Sequence, residues 1–145
     1  PDAQPIDFRV IDNRLHLPTY QHLFFSQVKY EDVQAVAGKK VLVLTGIAQP
    51  EYLMEYVRNQ HPDACLMAFP DHHRFSRKDV KKILAKAQGC DAVITTEKDY
   101  QRLAETPLVE QLGNRLHTLP IQVVLRGDSN KDFDQDILNY VKQNL

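Results

Sequence analysis

Three apolar runs of strand length, each followed by a turn and then by a helix with one apolar face, constrain this chain more than any other feature of it. Val41-Leu42-Val43-Leu44 is closed by Thr45-Gly46, and Pro50 suits the first turn of a helix that carries Tyr52, Leu53, Tyr56 and Val57 on one face. Ala64 to Phe69 is an unbroken apolar run, a length suited to a strand buried on both faces. Pro70 ends it, because proline has no amide hydrogen to give a neighbouring strand. Ser76 with Asp79 then makes a capping signature, and Val80, Ile83, Leu84 and Ala87 follow at one-face spacing until Gly89. Ala92-Val93-Ile94-Thr95 repeats the pattern, with Thr96-Glu97-Lys98-Asp99 leading into a helix that carries Leu103. Strands alternating with helices make right-handed crossover units. The predicted fold is therefore α/β, a three-layer α/β/α domain around a mainly parallel central sheet of about four or five strands.

The flanks are less regular. A short segment near Leu108 to Leu112, strands over Leu116 to Leu119 and Val123 to Leu125, and a terminal helix complete the domain. That helix has the apolar face Phe133, Ile137, Tyr140 and Val141, with Ser129 or Asn130 as its cap. Ahead of the domain, Phe8 to Leu15 and Leu23 to Val28 read as two extended runs separated by Pro18, which predicts a short β ribbon. The expected division is a hinge or β-ribbon segment over residues 1–37 and a Rossmann-like α/β lobe over residues 38–145.

Composition narrows the function. A chain of 145 residues buries one core, and a net charge of -1 with Lys and Arg scattered among acids argues against the broad basic face of a nucleic-acid binder. No run approaches the roughly 18 apolar residues of a membrane span. Cys65 and Cys90 read as free thiols in a reducing compartment, and they lack the spacing of a metal site.

If the strands are parallel neighbours, three loops meet on one edge of the sheet: Gly46-Ile47-Ala48-Gln49-Pro50, Asp71-His72-His73-Arg74 and Thr96-Glu97-Lys98-Asp99. Ligands of open parallel sheets bind in the crevice beyond the carboxyl ends of the strands. An Asp-His pair accepts a hydroxyl proton, and Lys98 or Arg74 neutralises phosphate charge, so the edge suits a phosphorylated or hydroxyl-bearing ligand. Structural roles stand beside these. Thr96 with Asp99 is also a capping pattern, Gly46 also suits a positive φ, and Asp71 also suits capping the turn or holding His72 in one tautomer. His16 and His22 read as surface residues.

These three motifs, in this order and spacing, resemble the C-terminal part of the tetraacyldisaccharide 4'-kinases, the lipid A 4'-kinases of Gram-negative bacteria. The segment from Phe24-Phe25-Ser26 to Tyr30 is similar to the hinge between that family's two lobes. The resemblance implies an enzyme at the cytoplasmic face of the bacterial inner membrane. It transfers the ATP γ-phosphate, with Mg²⁺, to the 4'-hydroxyl of tetraacyldisaccharide 1-phosphate, the lipid A disaccharide precursor, and has no nucleic-acid partner. His72 matches the family's catalytic histidine, which cooperates with a carboxylate of the N-terminal lobe, and Asp71 orients it. His73, Arg74, Gly46, Gln49, Glu97 and Lys98 are implied to lie near substrate or phosphate, although Gln49 stands where asparagine is expected.

The family's P-loop, Gly-x-x-x-x-Gly-Lys-Ser/Thr, occurs nowhere in the chain, whose glycines Gly38, Gly46, Gly89, Gly113 and Gly127 are dispersed. The expectation is a C-terminal lobe plus hinge, inactive alone, with the N-terminal P-loop lobe as partner. ATP and Mg²⁺ are expected to bind mainly on that lobe, leaving this chain without a cofactor or metal of its own. Two other readings stand beside this one, a metal-dependent Asp-His-His phosphoesterase-like domain and a non-catalytic α/β interaction module.

Overall fold

In chain order the elements are α1 (Pro5–Leu15), β1 (Ser26–Tyr30), β2 (Val41–Thr45), α2 (Pro50–Gln60), β3 (Cys65–Ala68), α3 (Arg77–Ala87), β4 (Ala92–Thr96), α4 (Glu97–Leu103), α5 (Leu108–Leu112), β5 (Leu116–Leu119), β6 (Ile121–Leu125) and α6 (Ser129–Gln143). The structure is a computed structural model that describes residues 5–18, 21–31, 34–126 and 129–144. It divides into two compact units, Tyr30–Gln122 and the pair of segments Pro1–Lys29 with Val123–Leu145.

Within Tyr30–Gln122 lies a four-stranded sheet in the order β3-β2-β4-β5, parallel throughout. Every residue of β2 and β4 is buried, because these central strands are covered on both faces. The two-residue period of a strand divides their side chains. Val41, Val43, Ala92 and Ile94 pack with Leu53, Met54 and Val57 of α2. Leu42, Leu44 and Val93 pack with Val80, Ile83 and Ala87 of α3 and with Leu103, Leu108 and Leu112. Helices on both faces make the predicted three layers. Each fully buried leucine contributes roughly 1.5–3 kcal/mol.

Two local expectations are corrected. The run from Ala64 to Phe69 packs on both faces, Leu66 on one and Cys65, Met67 and Phe69 on the other, but is not fully buried: β3 is an edge strand, with Cys65, Leu66 and Met67 half-buried and Ala68 exposed. The Lys86 ammonium reaches over and donates to the Leu66 carbonyl at 2.7 Å, a charge placed beside an open edge. On α2, Tyr52 points out and Met54 takes the buried place, so the stripe is Leu53, Met54 and Val57, with Tyr56 half-buried against Tyr30. Cys65 and Cys90 are free thiols, and burial pushes the Cys90 thiol up, with the nearby Cys65 adding to the effect. Arg115 closes the end of α3 by donating to the carbonyls of Ala87 and Cys90.

The predicted ribbon exists, but its partners differ. Phe8 to Leu15 lies in helix α1, which opens at Pro5 as proline favours, and the apolar spacing 8, 11, 15 is helical rather than alternating. The second ribbon strand is instead β6, paired with β1. The Arg126 amide donates to the Phe25 carbonyl at 2.8 Å and the Glu31 amide to the Pro120 carbonyl at 3.1 Å, so the pairing is antiparallel. Pro120, between β5 and β6, ends the parallel sheet because it brings no amide hydrogen to a ladder.

Along α6 the apolar residues Phe133, Ile137, Tyr140 and Val141 are exposed, although Phe133 meets the ring of Phe24 edge-on and Asp136 pairs with His22. The cap expected at Ser129 or Asn130 lies outside the residues whose side chains are described. His16 and His22 are on the surface, as their sequence surroundings predict.

Candidate functional site

Because β3, β2 and β4 are parallel neighbours, the loops after Thr45, Ala68 and Thr96 emerge at one edge, as the sequence pattern requires. Asp99 ties them together. It is fully buried, and its Oδ2 accepts hydrogen bonds at 2.9 Å from the Thr45 hydroxyl, the Gly46 amide and the Thr96 hydroxyl. Its own amide donates to the Thr96 hydroxyl at 3.1 Å, so the capping role is present as well. One carboxylate thus caps α4 and binds the turn that leaves β2. Gly46 is favoured by close approach rather than by φ, which corrects the positive-φ reading: a Cβ there would sit 3.2 Å from the Pro70 carbonyl oxygen and 3.3 Å from Asp99 Oδ1.

The loop after β3 is a tight turn in which the His73 amide donates to the Pro70 carbonyl at 3.1 Å. His72 occupies its third position with φ +58, the left-handed region that few non-glycine residues adopt. The Asp71 carboxylate accepts the His72 amide at 2.9 Å, and this local bond supports the turn.

The two histidines then part. His73 stacks on Phe69 with ring centres 4.7 Å apart, meets Phe75 edge-on, and places Nε2 3.1 Å from Asp79 Oδ2. It belongs to the cap of α3, where the Ser76 hydroxyl and amide, joined by His73, hold the Asp79 carboxyl down to about 2. His72 faces outward, its side chain 75% exposed. Its Nε2 lies 3.4 Å from Asp71 Oδ2 and its Nδ1 3.2 Å from Arg102 Nη2.

The cations come from α4. Lys98 Nζ is 3.5 Å from Asp71 Oδ1, and Arg102 Nη1 is 3.4 Å from Asp99 Oδ1. Partial desolvation works to raise the Asp71 carboxyl, but the His72 amide and the charges of His72 and Lys98 outweigh it and hold the group below the usual carboxylate range.

The structure therefore brings Asp71, His72, Lys98 and Gly46 to one edge and turns His73 toward α3. Arg74 is exposed and lines an open groove of about 550 Å³ with His72, Phe75, Arg102 and Glu105. Gln49 is exposed at the start of α2 with no side-chain cap bond, and Glu97 is exposed at the start of α4. A larger groove of about 660 Å³, lined by Lys39, His61, Asp63 and Asp91, lies at the opposite, amino ends of the strands. That edge is not where parallel sheets hold their ligands. Among the described residues no three His, Cys, Asp or Glu side chains gather to hold a metal. Arg102 is the site residue that sequence reasoning missed, and only its spacing of three from Asp99 could have pointed to it.

Comparison with known proteins points to one family. The sequence profile of the family described as tetraacyldisaccharide-1-P 4'-kinase matches residues 4–142. The tetraacyldisaccharide 4'-kinase of Bacteroides fragilis strain YCH46 is 33% identical over 165 residues, covering 99% of this chain and 44% of that protein. Its counterpart from Flavobacterium johnsoniae is 39% identical over 142 residues, covering 91% of this chain and 39% of that protein. The chain spans less than half the length of these curated relatives. No solved structure matches it significantly. With the profile covering nearly every residue, the chain belongs to the tetraacyldisaccharide-1-P 4'-kinase family.

Proposed function

We propose that this chain supplies the acceptor-side loops of a lipid A 4'-kinase, which phosphorylates the 4'-hydroxyl of tetraacyldisaccharide 1-phosphate. The observation that carries the reading is the meeting of Asp71, His72, Lys98 and Arg102 at the carboxyl edge of the sheet in a chain of this family. Phosphoryl transfer needs positioning and charge neutralisation more than covalent help from the protein. In the whole protein His72 donates from Nε2 to a carboxylate of the P-loop lobe, and the carboxylate so oriented accepts the proton of the attacking hydroxyl. Asp71 holds the His72 backbone in its turn, while Lys98 and Arg74 offer charge to phosphate oxygens. Gly46, Gln49 and Glu97 line the same edge, and His73 stands behind it as support.

The residues present do not fit ATP with Mg²⁺. The chain has no glycine-rich cradle, and its described residues contain no cluster of metal ligands. We assign both to a P-loop lobe of the whole protein, joined through residues 1–37 to the lobe formed by residues 38–145. The lipid precursor places the reaction at the cytoplasmic face of the inner membrane. No helix among the described residues is long and apolar enough to cross a membrane.

The test is His72→Ala in the longer protein that contains this chain. It lowers kcat by about 10²-fold or more with the fold intact. His73→Ala, assayed alongside, has the smaller effect on kcat. An unchanged rate for His72→Ala removes this residue from the chemistry.

A further inference from the structure

We infer that Arg102 is a positioning residue that keeps the proton of His72 on Nε2, and that buried Asp99 anchors it for this purpose. The inference rests on the kinase reading only for the use made of that proton. A guanidinium donates and never accepts, so a hydrogen bond from Arg102 Nη2 to His72 Nδ1, at 3.2 Å, requires a lone pair on Nδ1. The neutral ring then carries its hydrogen on Nε2, the nitrogen turned toward Asp71 Oδ2 at 3.4 Å. With the other tautomer, an N–H would face the guanidinium and a lone pair would face a carboxylate, both repulsive.

Arg102 is held to this task from behind. Nη1 lies 3.4 Å from Asp99 Oδ1, while Asp99 Oδ2 is engaged by Thr45, Gly46 and Thr96, so the anchor cannot turn away without stranding three buried donors. The fork of the guanidinium suits it to bridge two partners, which a single ammonium does less well. Asp71 and Lys98 are the other charged groups about the histidine, and Glu105 lines the same groove. None of these three meets Nδ1, so Asp71 favours the Nε2–H form from one side of the ring and Arg102 is the group that excludes a proton from the other.

The first experiment needs no activity. Long-range ¹⁵N–¹H correlation spectra of the 145-residue chain, with His72 assigned by loss of its peaks in His72→Gln, report which ring nitrogen is protonated when the ring is neutral. Wild type shows a single Nε2–H form, and Arg102→Met shows a mixture with Nδ1–H. Should Arg102→Met fail to fold, Arg102→Lys keeps a positive charge beside Asp99 and shows an intermediate mixture. Equal tautomer populations in wild type and variant overturn the inference. In the longer protein, Arg102→Met lowers kcat about tenfold with KM unchanged, and Arg102→Lys recovers part of it. A raised KM at unchanged kcat makes Arg102 a direct substrate contact and overturns the positioning role. If the longer protein proves to have no kinase activity, the kinase reading fails while the spectra still decide the tautomer.

Discussion

Asp99→Ala is expected to destabilise the fold around the site, and its cost follows from the bonds it breaks. The wild-type carboxylate is fully buried and accepts three hydrogen bonds of 2.9 Å, from Thr45, Gly46 and Thr96, besides its contact with Arg102. After truncation the two hydroxyls can rotate toward other acceptors, but the Gly46 amide is fixed in direction and left buried. A stranded buried donor costs about 1–3 kcal/mol, and losing two hydroxyl bonds to a charged acceptor adds about 2 kcal/mol. The total, about 3–5 kcal/mol, matches what breaking a buried ionic contact costs elsewhere. Asp99→Asn keeps one acceptor oxygen while turning an amide toward the guanidinium, so it costs less, about 2 kcal/mol. Equilibrium urea unfolding followed by far-ultraviolet circular dichroism measures both, since the chain has no tryptophan to report by fluorescence. A loss below about 1 kcal/mol for Asp99→Ala refutes the claim that this carboxylate ties β2 to α4.

Two further outcomes follow from the same geometry. Gly46→Ala forces a methyl to within 3.2 Å of the Pro70 carbonyl and 3.3 Å of Asp99, and is expected to cost about 1–3 kcal/mol in the same unfolding assay. Asp79 has a folded-state carboxyl depressed from 3.8 to about 2, so its contribution is fully present above pH 3.8 and is lost as the pH falls through about 2. The Tm difference between wild type and Asp79→Asn is therefore largest above that window and shrinks below it. A difference independent of pH contradicts the assignment.

What was legible in the sequence was what is local. The runs Val41 to Leu44 and Ala92 to Thr95 declare central strands because covering both faces leaves no polar alternation. The Ser76–Asp79 box was readable from its spacing alone, and both of its reciprocal bonds form. The convergence of three loops was also legible, since it follows from parallel order. By contrast, Asp99 read as a cap for Thr96, which it is, but its bonds to Thr45 and Gly46 span more than 50 residues and leave no local trace. His72 and His73 are neighbours in sequence, yet a positive φ at His72 sends one ring to solvent and the other into an aromatic stack. Arg102 looks like any solvent-facing arginine of a helix until the turn after β3 brings His72 to it. The segment Phe8 to Leu15 reads as extended because Phe8 and Val10 fit a two-residue period, whereas the spacing of Phe8, Ile11 and Leu15 is the helical one that the fold adopts.

The most direct test of the central claim is ATP-dependent phosphate transfer to tetraacyldisaccharide 1-phosphate, assayed on this chain and on the longer protein that contains it. The account predicts 4'-phosphorylated product from the longer protein and none from the chain alone. Absence of transfer by both would contradict it, and so would transfer by the 145-residue chain alone, which would mean that this chain holds its own nucleotide site.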